Sequence, residues 1–147
     1  MIRLAIAADR AAVKAIVRAA YAPYVPRIGR EPGPMGDDYA ALIQSGRVHV
    51  LTHEGRILGI LVLSPEDGVM LLDNVAVAPK AQGKGFGGML LGFAERTARE
   101  AGFRAIRLYT NVAMVENIAL YARLGYGETH RREEKGLRRV YMTKPLD

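Results

Sequence analysis

Between an apolar run and a long helical pattern, the stretch PKAQGKGFGG (residues 79–88) sets Gly83, Gly85, Gly87 and Gly88 beside Lys80 and Lys84. The first amides of a helix have no internal partners and carry the positive end of the helix dipole. They bind an anion such as a diphosphate when no side chain stands in the way. Glycine supplies that clearance together with unusual dihedrals, and Lys84 adds a charge. The alternative is a plain flexible connection, for which one or two glycines suffice. A second pair stands further on: Asn117 and Tyr121, four residues apart, put an amide and a phenol on one helix face about one turn from each other.

The elements that must position these groups follow from periodicity. IRLAI (2–6) reads as a strand, and Asp9 stands where an N-cap would, ahead of a helix running to Tyr21 with Val13, Ile16, Val17 and Ala20 on its buried face. Residues 21–39 hold four of the seven prolines and no sustained period, so they form a loop or a broken helix. A short helix over 37–46 ends at Gly46. Residues 47–64 give two strands around the turn HEG, and 68–78 a third, so three antiparallel strands precede the glycines. After them come a helix to Gly102, a strand over 105–110, a helix over 114–125 and a terminal hairpin around Lys135 and Gly136.

Composition narrows the chemistry. The chain has 147 residues, the size of one domain, and no cysteine, which removes disulfides, thiolate nucleophiles and cysteine zinc sites. Its three histidines, His49, His53 and His130, are too scattered for a metal site, and the first two fall in a strand. Lys and Arg outnumber Asp and Glu by 21 to 15, a net +6 that suits an anionic ligand. The basic run at 130–139 has little aromatic interleaving and reads as a solvated hairpin, so no nucleic-acid partner is called for. The first residues lack an apolar stretch long enough for a signal peptide or membrane span, so a cytoplasmic protein with no membrane partner is expected.

Among phosphate motifs, a Walker A loop fails because Gly85 follows Lys84 and Ala78 stands where its first glycine belongs. Gly83, Gly85 and Gly88 spell G-x-G-x-x-G, but three strands come first and the next strand ends in LYTN, without the acid a dinucleotide fold needs. The remaining pattern is Gln82-x-x-Gly85-x-Gly87. With LLDNVAVAPKAQGKGFGGMLLGFAERTAREAG before it and NIALYARLGY after it, the chain resembles the GNAT superfamily of acetyl-CoA-dependent N-acetyltransferases.

That resemblance implies a mixed α/β fold with a mostly antiparallel sheet, splayed between strands 4 and 5 and flanked by helices, as a single domain over 1–147. It implies acetyl-CoA as cofactor, no metal, an amine acceptor as partner, and by analogy a homodimer. The coenzyme diphosphate would lie on the amides around Gln82, Gly83, Lys84, Gly85, Gly87 and Gly88. The pantetheine arm would pair with Val75, Ala76 and Val77, and Asn117 would contact the coenzyme. Tyr121 would be the general acid: a thiol titrates near 8.5 and a phenol near 10, in order of magnitude. The alternative for Tyr121 is packing against Ile118 and Leu124. Asp73 is the candidate base, on the strand face shared with Leu71, Val75 and Val77; its alternatives are a backbone-bonded strand-end residue, or a water chain in its place. Tyr21, Tyr24, Arg27 and Tyr39 would line the acceptor pocket, with Asp37 and Asp38 drawing a cationic amine or capping the next helix. A small primary amine is the expected acceptor. The rivals are a protein N-terminus or lysine, and a non-catalytic acyl-CoA-binding module.

Overall fold

A computed structural model describes residues 1–147. The strands are β1 (Ile2–Leu4), β2 (Val48–His53), β3 (Arg56–Glu66), β4 (Val69–Val77), β5 (Ala105–Asn111), β6 (Gly127–Glu134) and β7 (Leu137–Pro145). They form one sheet in the order β1-β2-β3-β4-β5-β7-β6. The helices are α1 (Arg10–Tyr21), α2 (Val25–Ile28), α3 (Tyr39–Gln44), α4 (Phe86–Glu100) and α5 (Val115–Arg123). Every strand pair is antiparallel except β4 and β5, which the α4 crossover makes parallel. No helix is long and apolar enough to cross a membrane.

Two apolar clusters hold the helices to opposite faces of the sheet. Val13, Ile16 and Val17 of α1 and Ile43 of α3 pack with Val48, Val50, Ile60 and Val62 on one face. On the other, Leu90, Leu91, Ala94 and Ala98 of α4 meet Leu51, Leu61, Leu72, Ile106 and Leu108. β3 is therefore buried on both sides, which is why ILGILVLS reads as a nearly continuous apolar run. The hairpin turns at Glu54-Gly55 and Lys135-Gly136 carry positive φ at both residues, the geometry that matches the twist of the flanking strands.

One local reading changes, and one left open between two alternatives resolves. Asp9 does not cap α1. A 3₁₀ turn over Ala7–Asp9 comes first, and the Asp9 carboxylate reaches back to accept from the Ile6 amide at 2.8 Å and from Arg3. Residues 21–39 are a broken helix: a 3₁₀ turn, α2 stopped by Gly29 at φ 88°, and a second 3₁₀ turn over Gly33–Gly36. Asp38 caps α3 by accepting from the Ala41 amide at 3.1 Å.

Candidate active site

The glycine stretch lies between β4 and α4, and its amides are free. Ala81 and Gln82 donate to main-chain carbonyls and so does Met89, to Gly85, but no amide from Gly83 to Gly88 does. Gly83 and Gly85 sit at φ 80° and 85°, where a β-carbon would be strained, and this left-handed pair turns the chain so that the amides face outward. A β-carbon added at Gly87 or Gly88 would meet nothing within 4 Å, so the ground in front of the helix is open. Gln82 donates from its side chain to the Val77 carbonyl at 3.1 Å, tethering the loop to the end of β4. Lys80 and Lys84 are exposed beside it.

Next to this loop the sheet opens. β4 and β5 pair only at Met70–Leu72, so one edge of β4 has no ladder partner from Asp73 to Val77. A bulge marks the same point: against β3, Val62 faces Asn74 while Leu63 faces Leu72, leaving Asp73 as the extra residue. The bulge also breaks the alternation expected along the strand. Leu72 and Val75 join the α4-side core, whereas Asn74 bonds to tyrosines on the α1 side, so Asp73 does not share a face with Val75 and Val77.

Two cavities meet at the opening. One runs past Val75, Val77, Gln82, Gly83 and Gly87 under Tyr24 of the proline-rich segment. The other holds Asp73, Asn74, Tyr109 and Arg139 beneath Pro32–Pro34. Tyr21, Val75, Met114, Asn117 and Tyr121 form walls of both. Tyr121 is thus at the junction, buried at 7 % exposure, and burial pushes its phenol up to about 12. Burial also raises Asp73, helped by nearby Asp37 and Glu66 and opposed by Arg47 and Arg139.

The tyrosines of the proline-rich segment separate by role. Tyr21 lines both cavities and donates to Asn74 Oδ1 at 2.6 Å. Tyr39 lines neither cavity. Buried behind Asn74, it accepts from Asn74 Nδ2 at 2.9 Å and donates to the Pro34 carbonyl at 2.5 Å. Arg27 faces away from both cavities, paired with both Glu116 oxygens at 2.9 Å and with the Ala113 carbonyl at 2.7 Å. Arg30 donates to the Lys135 carbonyl. The segment is therefore a strap, fixed at α5 and at the β6–β7 turn, that crosses the opening above Asn74 and Arg139.

Comparison with known proteins supplies the identity of this arrangement. The model of the acetyltransferase (GNAT) family matches residues 13–126. The chain belongs to the GNAT acetyltransferase family. The aminoalkylphosphonate N-acetyltransferase of Salmonella typhimurium is 28 % identical over 109 residues, 69 % of this chain and 71 % of that one. The ribosomal-protein-alanine N-acetyltransferase of Brucella melitensis superposes with TM-score 0.77 at 26 % identity, over 99 % of both chains. The PaiA N-acetyltransferase of Thermoplasma acidophilum, solved in complex with coenzyme A, has TM-score 0.82 at 16 % identity, over 99 % of this chain and 98 % of that one.

As a GNAT acetyltransferase the chain is an enzyme, and its cofactor is acetyl-CoA. Free amides at the start of α4 suit the anionic end of that carrier, and the apolar groove leading from them to Tyr121 suits its neutral arm. No group of three or more His, Asp or Glu side chains is gathered as metal ligands. Sequence reasoning missed Asn74, Tyr109 and Arg139, which the GNAT fold brings to the cleft from β4, β5 and β7. Asn74 did leave a signal, an amide inside the apolar run LLDNVAV; Arg139 was one of several arginines in a hairpin and left none.

Proposed function

We propose that this GNAT enzyme acetylates the primary amine of a small molecule, with Tyr121 as general acid. The reading rests on Tyr121 standing where the coenzyme-side and acceptor-side cavities join, below a strap that closes over the second of them. The main chain of Gly83–Gly88, with Lys84, holds the diphosphate; the free edge at Val75, Ala76 and Val77 pairs with the pantetheine arm; Asn117 contacts it from α5. Gln82 acts by shaping the loop through Val77. Acetyl-CoA supplies the acetyl group as a thioester, whose C–S bond breaks as the new C–N bond forms. Asp73, directly or through water, takes the proton that the amine loses. Tyr121 gives its proton to the sulfur and regains one from solvent.

A phenol near 12 is a weak donor to a thiol of ordinary acidity. Burial is the cause, and the same burial raises the pKa of a thiolate at that place, so the mismatch shrinks where the transfer happens. A small acceptor is further supported by the aminoalkylphosphonate enzyme among the relatives. A peptide N-terminus has one observation in its favour: a polar trough with Glu66, Arg107, His130 and Tyr141 continues from the cleft, sharing Asp73, Tyr109 and Arg139 with it.

The test is thiol release from acetyl-CoA with a panel of amino acids, polyamines, aminoglycosides and short peptides, for wild type and Tyr121→Phe. Turnover by the wild type with at least one small amine is expected, and a kcat about 100- to 10,000-fold lower in the variant at similar coenzyme affinity. Equal turnover in Tyr121→Phe removes the phenol from the mechanism, and turnover of peptides alone removes the small acceptor.

A further inference from the structure

The acceptor cleft is walled by one carboxylate and one guanidinium, Asp73 from the β4 bulge and Arg139 from β7. Arg139 is fixed in place. Its guanidinium stacks 4.3 Å above the Tyr109 ring, and Nη2 lies 3.2 Å from where a β-carbon on Gly33 would stand, so the strap passes directly over it. Its ion pair is with Glu134, not Asp73, through one hydrogen bond of 3.3 Å. Glu134 is shared: it also accepts from the Tyr141 hydroxyl and lies 3.7 Å from Arg132. The Arg139 side chain is 15 % exposed, and besides Glu134 only the Tyr141 hydroxyl is within reach of its five N–H donors. None of its nitrogens is sealed from solvent without a partner, so its remaining donors are open to a ligand that enters the cleft.

Building on the acetyl-transfer reading above, we propose that the acceptor is a zwitterion, a compact molecule carrying both its primary amine and an acidic group. Arg139 grips the acidic group, a carboxylate or a phosphate-type oxyanion, while Asp73 receives the ammonium. One lining charge of each sign matches one ligand charge of each sign, and Asp73 is placed to take the proton the amine must lose. A polyamine would set a second cation against Arg139, and a simple alkylamine would leave its donors unanswered. Arg139 is then the residue that determines specificity, acting on substrate choice and not on the proton transfers.

Matched pairs test this. Glycine, β-alanine and 4-aminobutyrate are compared with their primary amides, and O-phosphoethanolamine with ethanolamine, by kcat/KM from thiol release and by calorimetric binding to the protein saturated with CoA. In the wild type at least one acid-bearing member is expected to exceed its neutral partner by about 10- to 100-fold, mostly in KM, the range for hydrogen bonds to a charged group. The carboxylate and phosphate arms show which oxyanion is read. In Arg139→Gln that ratio is expected to fall towards one, and Arg139→Lys keeps part of it. Wild type using or binding the neutral partners equally well overturns the proposal, as does a preference that survives in Arg139→Gln. Should Arg139→Gln fail to fold, the wild-type ratio and Arg139→Lys decide. Acetyl-CoA that raises the melting temperature without any such preference sinks only the zwitterion; acetyl-CoA that neither stabilises nor reacts sinks the transfer reading itself.

Discussion

Asp73 shows how one carboxylate can be poised by strand geometry. As the extra residue of a bulge it stands at the point where β4 leaves β5, partly buried with Asp37 and Glu66 near enough to disfavour its charge. A raised carboxyl is a better base near neutral pH and a burden on the fold. The protonated form is the one the folded state favours, so its contribution is complete below the unfolded pKa and lost as pH rises through the folded one. Asp73→Asn is therefore expected to melt higher than wild type at pH 8 and at the same temperature near pH 3, by calorimetry at both. The acid limb of kcat/KM is expected above the ordinary carboxylate range and absent from the variant if Asp73 is the base. Tyr121, at about 12, stays protonated through any practical assay, so it adds no alkaline limb below pH 10.

At the level of elements, the start of α4 trades helix stability for open amides. Gly88 is inside the first turn, and a β-carbon there would touch nothing in the protein. Gly88→Ala is expected to raise stability by about 0.5–1 kcal/mol in chemical denaturation, because alanine is the better helix former. The same methyl stands on the ground assigned to the diphosphate, so acetyl-CoA is expected to bind more weakly by calorimetry. Stability and affinity moving in opposite directions marks a site; a variant that binds normally shows the phosphates lie elsewhere. The strap is the second element with a proposed role. Arg27 and Glu116 are exposed, and solvent screens such a pair strongly, so Arg27→Ala is expected to raise the acceptor KM by at most about fivefold with kcat little changed. Added salt should mimic it.

For the molecule as a whole, the opening between β4 and β5 is closed only by what binds across it and by the strap. A ligand at 100 times its Kd adds about 2.7 kcal/mol, which for a domain of this size raises the melting temperature by roughly 5–10 °C. That shift is expected with acetyl-CoA and absent with NAD, read by thermal denaturation. The order of elements, the glycine loop at the helix start and the Asn117–Tyr121 spacing were all legible in the sequence, since each depends on residues near one another in the chain. Asp9 misled because a carboxylate before a helix can bond forwards or back, and only the 3₁₀ turn decides. The bulge that turns Asp73 away from Val75 depends on the register with β3, which is set across the sheet. Arg139 met Tyr109, Gly33 and the cleft through contacts between residues far apart in the chain. Local periodicity and turn chemistry thus determined the elements and the glycine loop at the start of α4. The cleft proposed for the acceptor, built from β4, β5, β7 and the strap, was decided by tertiary packing, because side chains from four segments meet only once the sheet has brought them together.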